Sequence, residues 1–508
     1  MLTGGEVAKH NSAEDLWLIV NGQVYDLTGF SHPGGQRILL RYAGKDATEA
    51  YNEVHSPQVI VENLSKDKHL GPVDMSTVET AKEEKAHGEG GASGETRVTL
   101  ANCLNLDDIE TAAEQLLKTK AWAYYRSAAD DELTHNWNRQ SFSRLRLRPR
   151  VMRDVSTVDL TTTVLGHASA LPFFIAPAAM GRLAHPEGEK CLARGSQLHG
   201  IPYVVSANSS VSFEELAAQA SNQTLFYQLY VNKDRKKTEE QLKRVAKAGF
   251  KAIVVTVDAP VAGKRERDER TKLDLEASDD PNMKQAVKAT APDAPDRPQQ
   301  NPAQSAQGIA QTLGSPPAAP PSSIATQMFS YVDPALKWTD IDWIRRVTGG
   351  LPVVVKGIQS AEDAALACHH GASAIYLSNH GGRQLEGAPS SLETLLEIRK
   401  FEPWILQSKT EIWCDGGVRR GTDIVKLLAL GARAVGIGRP FMYSLVFGDE
   451  GVNQVATILR DELAQNVRLV GSTSLSQLNP SLVNTKELER DIYDGPYDSP
   501  VKTILAKL

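Results

Sequence analysis

The sequence predicts an α/β protein in which a parallel (β/α)8 barrel follows a small α+β domain. Residues from about 100 onwards contain eight short apolar runs that alternate with helical patterns, whereas residues 6–75 contain a strand hairpin followed by helical segments. Apolar strands that alternate with helices are typical of a parallel sheet buried on both faces, and eight such repeats close into a barrel. The runs lie at residues 171–178, 201–208, 224–231, 252–260, 351–357, 374–380, 411–417 and 434–440.

The composition is that of an ordinary globular protein, and it excludes several classes of function. Of the 508 residues, 41% are hydrophobic and 23% are charged, and the formal net charge is −6. Lysine and arginine form no long blocks, which argues against nucleic-acid binding, and no apolar run approaches the ~18 residues of a membrane span. The four cysteines are scattered without a CxxC pair, which indicates reduced thiols in a reducing compartment.

The first 75 residues form a unit of their own. Residues 15–30 contain two strand-like runs around Asn21-Gly22, the signal of a tight hairpin. His32 then opens an HPGG turn, and His55 ends the second of two helical segments. Two imidazoles that flank helices could ligate one iron, giving a six-coordinate haem that transfers electrons. The alternative is that His32 belongs to a turn and His55 lies on the surface. Two histidines considered without further motifs would favour this alternative.

A resemblance decides between these two interpretations. The segments EVAKH, WLIVNGQVYDLTGF, HPGG and EVH resemble the cytochrome b5 haem-binding domain over nearly all of residues 4–75. The resemblance implies that His32 and His55 are the axial ligands of a haem b iron. We therefore expect a b5-like haem domain at residues 1–75.

Two further segments interrupt or flank the barrel domain, which we expect at residues 99–508. Residues 76–98 are rich in Glu, Lys, Gly and Ala, a composition typical of a flexible hinge. About 90 residues separate the fourth and fifth apolar runs, and their Pro- and Ala-rich middle at about 276–326 is expected to be a flexible insertion whose ends form an active-site lid. The tail at 480–508 carries apolar residues beyond the barrel, which suits wrapping a neighbouring subunit.

Polar side chains gather at the carboxyl ends of the predicted strands, where barrels of this kind place their catalytic residues. The most informative stretch is SNHGGRQ at 378–384, which offers a proton acceptor, glycines that let a flat ligand approach, and an arginine that can clamp an anion. The glycine-rich loops at 415–421 and 436–440 follow the last two strands, the usual phosphate cradle of this fold, and each carries an arginine. The alternative for each position is a turn or a satisfied polar group.

The motifs of the barrel resemble one enzyme family. AWAYY, APAAM, YQLYV, TVDAP, VVVKG, SNHGGRQLE, DGGVRRGTD and GIGRPF are similar, in this order over residues 100–475, to the FMN-dependent 2-hydroxy-acid oxidases and dehydrogenases. With a b5-like domain ahead of it, the whole chain resembles the flavocytochrome b2 family of L-lactate:cytochrome c oxidoreductases. This implies a TIM barrel that binds FMN and oxidises an L-2-hydroxy acid, most simply L-lactate to pyruvate. Electrons would pass through the haem to cytochrome c or a similar one-electron acceptor.

The chemistry of such a reaction assigns a role to each polar group. His380 is the base and Asp258 the carboxylate that orients it. Arg265 and Arg383 supply guanidinium forks for the substrate carboxylate. Lys356 is expected beside the flavin N1 and C2 carbonyl, where it stabilises the reduced ring.

The resemblance adds the remaining contacts. It implies that Tyr124 hydrogen-bonds the substrate carboxylate and that Tyr230 contacts the hydroxyl. One position departs from the family: Asn208 stands where an apolar residue is usual near the substrate side chain, and it admits a more polar or larger hydroxy acid. The residues that the resemblance places around FMN are Ala178, Ala179, Ser206, Gln228, Thr256, Lys356, Ser378, Asp415, Gly417, Arg419, Gly438 and Arg439.

Two other functions stay open at this point. One is an FMN-dependent oxidase that passes electrons to O2 and releases hydrogen peroxide, and the other is a non-catalytic haem-binding protein on a decayed barrel. The resemblance also implies a homotetramer. The first residues show neither a signal core nor a presequence, so we expect the cytoplasm or the mitochondrial intermembrane space, with the cytoplasm favoured.

Overall fold

The computed structural model describes residues 1–30, 32, 36–78, 99–219, 223–271 and 329–495. The predicted insertion at 276–326 lies outside these residues, as does the predicted hinge apart from residues 76–78.

The amino-terminal unit is a four-stranded sheet covered by short helices. The sheet has the order β1-β4-β3-β2. In the hairpin between β2 and β3, Asn21 has a φ of 51° and Gly22 a φ of 74°, the left-handed pair that a tight two-residue turn requires. The predicted hairpin is therefore present. The elements are β1 (Leu2–Thr3), α1 (Gly4–Val7), β2 (Trp17–Val20), β3 (Gln23–Asp26), α2 (Gln36–Tyr42), α3 (Thr48–Val54), α4 (Gln58–Asn63) and β4 (His69–Asp74).

Strand β2 shows how this sheet divides its two faces. Leu18 and Val20 pack with buried residues of the helices, among them Leu39 and Ile60, whereas Ile19 packs on the opposite face. Alternate side chains of a strand point to opposite sides, so a strand that is apolar throughout needs cover on both faces. The helical side carries the larger cluster, and the two predicted haem ligands lie beside it.

Residues 173–437 close the barrel predicted from the eight apolar runs. All its strands are parallel, and β15 pairs with β8 to complete the ring. Each observed strand begins inside its predicted run, and most end before the run does, because the last residues leave the sheet to form the loops of the site. The strands are β8 (Phe173–Ile175), β9 (Tyr203–Val205), β10 (Leu225–Leu229), β11 (Ile253–Thr256), β12 (Val353–Ile358), β13 (Ala374–Leu377), β14 (Glu411–Cys414) and β15 (Ala434–Ile437).

Helices surround the barrel, and three more precede it. None of the helices in the described ranges is both long enough and apolar enough to cross a membrane. The helices before the barrel are α5 (Leu106–Leu116), α6 (Thr119–Arg126) and α7 (Leu133–Ser143), with the short strands β5 (Arg146–Leu147), β6 (Thr162–Val164) and β7 (His167–Ser169). The outer helices are α8 (Glu189–Leu198), α9 (Phe213–Gln219), α10 (Arg235–Lys247), α11 (Asp340–Val347), α12 (Ala361–His369), α13 (Ser391–Phe401), α14 (Gly421–Leu430), α15 (Arg439–Ser444) and α16 (Gly448–Leu469).

Aromatic side chains fill the barrel interior below the site. The ring centroid of Trp413 lies 5.0 Å from that of Phe174, 5.6 Å from that of Phe226 and 5.8 Å from that of Tyr376, and all four are fully buried. A Cβ at Gly436 would lie 2.2 Å from the Tyr376 hydroxyl, so this strand position has room only for glycine. A barrel packed in this way has free volume only at its ends.

The tail at 480–508 lies partly outside the described residues, and its predicted contact with a neighbouring subunit stays a prediction. Its described part, residues 480–495, packs on its own chain through β16 (Val483–Asn484), which pairs antiparallel with β5, and through α17 (Lys486–Glu489). Leu488 and Ile492 are buried there. These two side chains are therefore used within the subunit.

Candidate active site

A cavity of about 320 Å³ opens at the carboxyl ends of the barrel strands. Its volume is within the range typical of cofactor and substrate sites. With two exceptions, every substrate and FMN residue predicted for the barrel lines this cavity. The exceptions, Asp258 and Ser378, stand one layer behind the wall, where each contacts a lining residue.

The predicted base and its carboxylate are in hydrogen-bonding contact. His380 Nδ1 lies 2.9 Å from Asp258 Oδ1, and His380 Nε2 lies 3.5 Å from the hydroxyl of Tyr230. Asp258 comes from the loop after β11, whereas His380 follows β13, so closure of the barrel brings them together. The carboxylate fixes the tautomer with the proton on Nδ1 and leaves the Nε2 lone pair facing the cavity.

The protonation states of this group suit a general base. Burial lowers the pKa of His380 more than the neighbouring Asp258 raises it, so the imidazole is neutral near pH 7. Burial alone would raise the pKa of Asp258, but the interactions with His380, which include a hydrogen bond, and with Lys356 outweigh burial and hold that pKa below its usual value. Burial, followed by the charge of Asp258, raises the pKa of Tyr230, which keeps its phenol protonated as a donor.

The backbone after β13 is strained, and this aims the imidazole. His380 has a φ of 59°, and Gly381 and Gly382 follow at 66° and 74°. A left-handed conformation is uncommon for a residue with a side chain and is found mainly at functional sites. A Cβ at Gly382 would lie 2.5 Å from the backbone nitrogen of His135, so the predicted pair of glycines serves close backbone packing.

Arg383 forms part of the cavity wall and keeps part of its guanidinium available. Its Nη1 donates to the carbonyls of Tyr125 and Ser127, and its Nη2 donates to the carbonyl of Tyr124. Three of the five N–H groups are thereby used within the described residues, which leaves Nε–H and one Nη2–H, an adjacent pair of donors that suits a carboxylate.

Arg265 lies next to Arg383 and is almost fully buried. Its Nε and Nη2 donate weakly, at 3.4 Å, to the carbonyl of Arg383 and to Gln384, and its guanidinium lies over the ring of Phe329. Burial, followed by the charge of Arg383, lowers the pKa of Arg265 to about 9. Two neighbouring guanidiniums in a buried wall attract an anion such as a substrate carboxylate.

Lys356 sits where β12 has a bulge. Its Nζ donates to the hydroxyl of Ser378 at 3.1 Å, so Ser378 contacts a lining residue although it does not line the cavity itself. The register of β12 shifts between Lys356 and Ile358, and Gly357 has a φ of +107°. A Cβ at Gly357 would lie 2.6 Å from the Cβ of Asp258. The absence of a side chain at this position therefore allows β12 and the loop that carries Asp258 to pack closely.

A second polar group spans three neighbouring strands. Gln228 Nε2 donates to the hydroxyl of Thr256, and Gln228 Oε1 accepts from the backbone of Ala207. Ser206 donates to the same Oε1 at 3.4 Å. The carboxamide of Gln228 is thereby held in one orientation at the cavity, as a ring nitrogen or carbonyl of a cofactor requires.

The cavity fits FMN on three observations. A Cβ at Gly438 would meet only Ala176, at 4.0 Å, so the last strand leaves open space that a cofactor can occupy. Asp415 Oδ1 is buried without a partner among the described residues, as expected of a group that accepts from an absent ligand. Ala178 and Ala179 add small apolar wall beside these positions.

Charged side chains crowd one part of the cavity wall. Arg419 pairs with Glu110, and Arg126 Nε lies 3.5 Å from the same carboxylate. Arg439 donates through three nitrogens to the carbonyls of Tyr125, Gly381 and Ser127, and burial lowers its pKa to about 10. Arginines outnumber acids in this lining, which suits a phosphate.

The amino-terminal unit brings its two predicted haem ligands close together. The ring centroids of His32 and His55 are 6.0 Å apart, with an interplanar angle of 84°. Two metal–nitrogen bonds of about 2 Å each, added to the ring radii, require about this separation. Burial lowers the pKa of His32, and burial followed by His32 lowers that of His55 to about 4, so both imidazoles are neutral and can bind a metal. This donor set fits a six-coordinate haem iron.

The loop after β8 touches both units. Ala178 and Ala179 line the cavity, and Arg182 Nη1 donates at 3.4 Å to the carbonyl of Asn52, three residues before His55. Val54 packs against the barrel core. Outside this loop, Lys118 pairs with Glu53 at 3.1 Å and Arg244 with Glu62 at 2.6 Å. The unit with the histidine pair therefore docks beside the barrel mouth.

Several residues of the cavity were not predicted from the sequence. Burial and three nearby arginines lower the pKa of His135 to about 2, so it is a neutral wall residue. Asn138 stands behind the wall, where it exchanges two hydrogen bonds with Asn379, and its backbone carbonyl oxygen would lie 2.1 Å from a Cβ at Gly417. Both residues lie on α7, whose sequence reads as an ordinary helix, so no local signal marks them. Further unpredicted lining residues are Glu110, Arg126, Arg139 and Phe329.

Comparisons with known proteins agree with both units. The profile described as FMN-dependent dehydrogenase matches residues 113–485, and the profile of the cytochrome b5-like heme/steroid binding domain matches residues 3–74. The chain is 38% identical over 497 residues to the L-lactate dehydrogenase (cytochrome) of Wickerhamomyces anomalus, covering 96% of this chain and 80% of the relative. It is 40% identical over 389 residues to the L-lactate oxidase of a Nostoc species, covering 76% of this chain and 99% of the relative.

The fold of a solved structure agrees as well. A mutant flavocytochrome b2 with pyruvate bound superposes with a TM-score of 0.65 at 36% identity, covering 81% of this chain and 92% of that one. The cofactors that these families use are FMN in the barrel and haem in the amino-terminal domain. The chain therefore belongs to the FMN-dependent dehydrogenase family, and it carries a cytochrome b5-like haem domain ahead of its barrel.

Proposed function

We propose that this protein oxidises an L-2-hydroxy acid, represented by L-lactate, and passes the electrons through its haem to cytochrome c. The observation that carries the proposal is the neutral His380, held by Asp258 at 2.9 Å, in one cavity with Arg265 and Arg383. An acid with a hydroxyl beside its carboxylate matches a base beside two guanidiniums.

Each side chain has one task in this reaction. Arg265 and Arg383 hold the carboxylate, assisted by the phenol of Tyr124. Tyr230 donates a hydrogen bond to the substrate hydroxyl, and Nε2 of His380 accepts a proton from the substrate. Asp258 keeps the imidazole oriented and stabilises the imidazolium that forms. FMN supplies a two-electron acceptor, and Lys356 places a positive charge where that acceptor becomes negative.

The contacts proposed for FMN follow from position in the cavity. The small and polar residues at the ends of β8 to β13 face the ring and ribityl parts. Those after β14 and β15 face the phosphate end, where arginines collect. In the first group are Ala178, Ala179, Ser206, Gln228, Thr256, Lys356 and Ser378, and in the second are Asp415, Gly417, Arg419, Gly438 and Arg439.

Haem supplies a one-electron carrier, and His32 and His55 are its proposed ligands. Docking of this unit against the loop after β8 shortens the path that electrons would travel from the cavity to the haem. The relative that covers 96% of the chain is an L-lactate dehydrogenase (cytochrome), whereas the oxidase relative covers 76%. An oxidase has no need of the haem unit, which favours the dehydrogenase.

The proposed domains are 1–75 for haem, 76–98 for the hinge and 99–508 for the barrel. The proposed assembly is a homotetramer in the cytoplasm or the intermembrane space.

Anaerobic mixing with L-lactate tests the proposal, with flavin and haem absorbance followed together. We expect the flavin to be reduced first and the haem second, with cytochrome c then reduced faster than O2. Flavin reduction with a haem that stays oxidised would contradict the relay, and faster turnover with O2 would replace the dehydrogenase by an oxidase. An unreduced flavin with every hydroxy acid would remove the proposed chemistry.

A further inference from the structure

Asn208 is a polar side chain of the cavity wall to which the proposed reaction gives no task. Asn208, in the loop after β9, lines the cavity with His380 and Tyr230. Its Oδ1 accepts a hydrogen bond of 3.0 Å from the hydroxyl of Tyr331. Its Nδ2 is shielded from solvent and has no partner among the described residues. A buried amide nitrogen without an acceptor is unusual and calls for a ligand or another explanation.

The surroundings hold this amide in place. The backbone N–H of Asn208 donates to the hydroxyl of Ser206, and Tyr331 reaches it from the far end of the long connection between β11 and β12. Burial raises the pKa of Tyr331 to about 12, so its hydroxyl stays protonated and donates to Oδ1. Because the carbonyl end of the amide is occupied, the end with the two N–H donors is the one left for a ligand.

The wall next to the amide is apolar. Tyr331 packs with Phe329, Val332 and Tyr230, and Ala207 belongs to the same cluster. Water therefore has few polar partners there, whereas a substrate atom would meet a single fixed donor. A donor in an otherwise apolar wall discriminates between substrates with and without a matching acceptor.

We infer that Asn208, positioned by Tyr331, selects 2-hydroxy acids that carry a hydroxyl on carbon 3. This inference rests on the proposed function, in which His380 and the two arginines take the 2-hydroxyl and the carboxylate. Those groups leave only the side chain of the substrate to face the remaining wall. A methyl group, as in L-lactate, leaves the amide unpaired, whereas the extra hydroxyl of L-glycerate accepts its hydrogen bond.

The reaction is the same for both acids. The C2–H and O–H bonds break and a carbonyl forms at C2. Nε2 of His380 would take one of the two protons, and FMN held by the residues proposed above would supply the acceptor for the two electrons and the other proton. The product is pyruvate from L-lactate and 3-hydroxypyruvate from L-glycerate. The two acids differ by one hydroxyl, so their comparison isolates the contact with Asn208.

The test compares kcat/KM of flavin reduction for L-glycerate and L-lactate in the holoenzyme and in Asn208→Leu, which keeps the branching and the number of side-chain heavy atoms and removes the donor. We expect the holoenzyme to prefer L-glycerate, and the glycerate-to-lactate ratio to fall by about 10- to 100-fold in the variant. Tyr331→Phe should lower the ratio as well, because the amide loses the hydrogen bond that orients it. Asn453→Leu, at an exposed asparagine on α16, is the matched control and should leave the ratio unchanged.

Binding to the oxidised enzyme gives a second readout that needs no turnover. Titration calorimetry should show 3-hydroxypyruvate binding more tightly than pyruvate, with the difference lost in Asn208→Leu. Equal ratios in all four proteins, with L-lactate reducing the flavin normally, would overturn the inference and leave the proposed function intact. If neither acid reduced the flavin of the unaltered enzyme, the proposed function would fail and the inference with it.

Discussion

Asp258 and His380 are 122 residues apart in the chain, yet Oδ1 of the first lies 2.9 Å from Nδ1 of the second. The carboxylate is fully buried, whereas the imidazole keeps one edge towards the cavity. This contact turns a histidine at a strained turn into a base with a fixed tautomer. The first two predictions test it directly.

Replacing His380 by glutamine should abolish turnover while both cofactors stay bound. Glutamine keeps polar atoms near the ring nitrogens but cannot accept a proton, and loss of a general base costs about 100-fold or more. The rate of flavin reduction by L-lactate, together with the flavin and haem content, provides the measurement. His199→Gln, on a half-buried histidine that contacts Asn453 on α16, is the control. A rate above a few per cent of the unaltered enzyme would remove His380 from the role of base.

The pH dependence of kcat/KM should show an acid limb with an apparent pKa below 6.5, the ordinary value of histidine. Burial lowers the pKa of His380 more than Asp258 raises it. Below that pKa the proton on Nε2 removes the lone pair, so the rate falls as the pH drops; above it the rate is level. Asp258→Asn removes the charge that opposes burial, so its acid limb should move to lower pH while the maximal rate falls. A limb at higher pH in this variant would contradict the assignment.

Gly357→Ala should damage the site more than the same change at Gly350. Both glycines have a positive φ, +107° and +101°, so each alanine carries a similar strain of about 1–2 kcal/mol. A Cβ at Gly357 would overlap Asp258, whereas nothing lies within 4 Å of one at Gly350. Both variants should therefore melt at a lower temperature, Gly357→Ala by the larger amount, and the rate of flavin reduction should fall only in Gly357→Ala. Equal losses in the two variants would mean that φ strain alone is responsible.

Replacing His55 by alanine should remove the haem and spare the flavin reaction. The imidazole is one of two neutral donors 6.0 Å apart, and a six-coordinate iron needs both. We expect loss of the haem absorbance and of cytochrome c reduction, with flavin reduction by L-lactate retained. His10→Ala, which removes a ring stacked on Trp17 near the surface of the same unit, should keep the haem. Haem retained in His55→Ala would exclude it as an axial ligand.

The sequence predicted the parts of this molecule that local patterns specify. Apolar periodicity gave the barrel strands, and the position of a polar residue at a strand end gave His380, Lys356 and Asp415. The b5-like motifs predicted the hairpin and the histidine pair. Local patterns extend over a few residues, so they identify what stands at each strand end but not what it contacts across the barrel.

The remaining features depend on contacts between distant segments. The bond between Tyr331 and Asn208 joins positions 123 residues apart across the long connection. Likewise, Arg383 donates to carbonyls of α6 and the turn after it, more than 250 residues earlier in the chain. The tail shows the same limit, because no local pattern indicates that Val483 and Asn484 pair with β5. Such contacts exist only once the chain has closed.

The docking of the haem unit has a consequence for its association with other proteins. Two of the contacts that hold it are surface ion pairs, Lys118 with Glu53 and Arg244 with Glu62, and exposed pairs of this kind contribute less than about 1 kcal/mol each. Because the unit and the barrel belong to one chain, their encounter is governed by effective concentration rather than by affinity. A weak interface then suffices for frequent visits and short residence. A haem held by His32 and His55 would supply the one-electron carrier of the proposed relay, and such a unit would need little free energy to leave the barrel and meet a soluble acceptor.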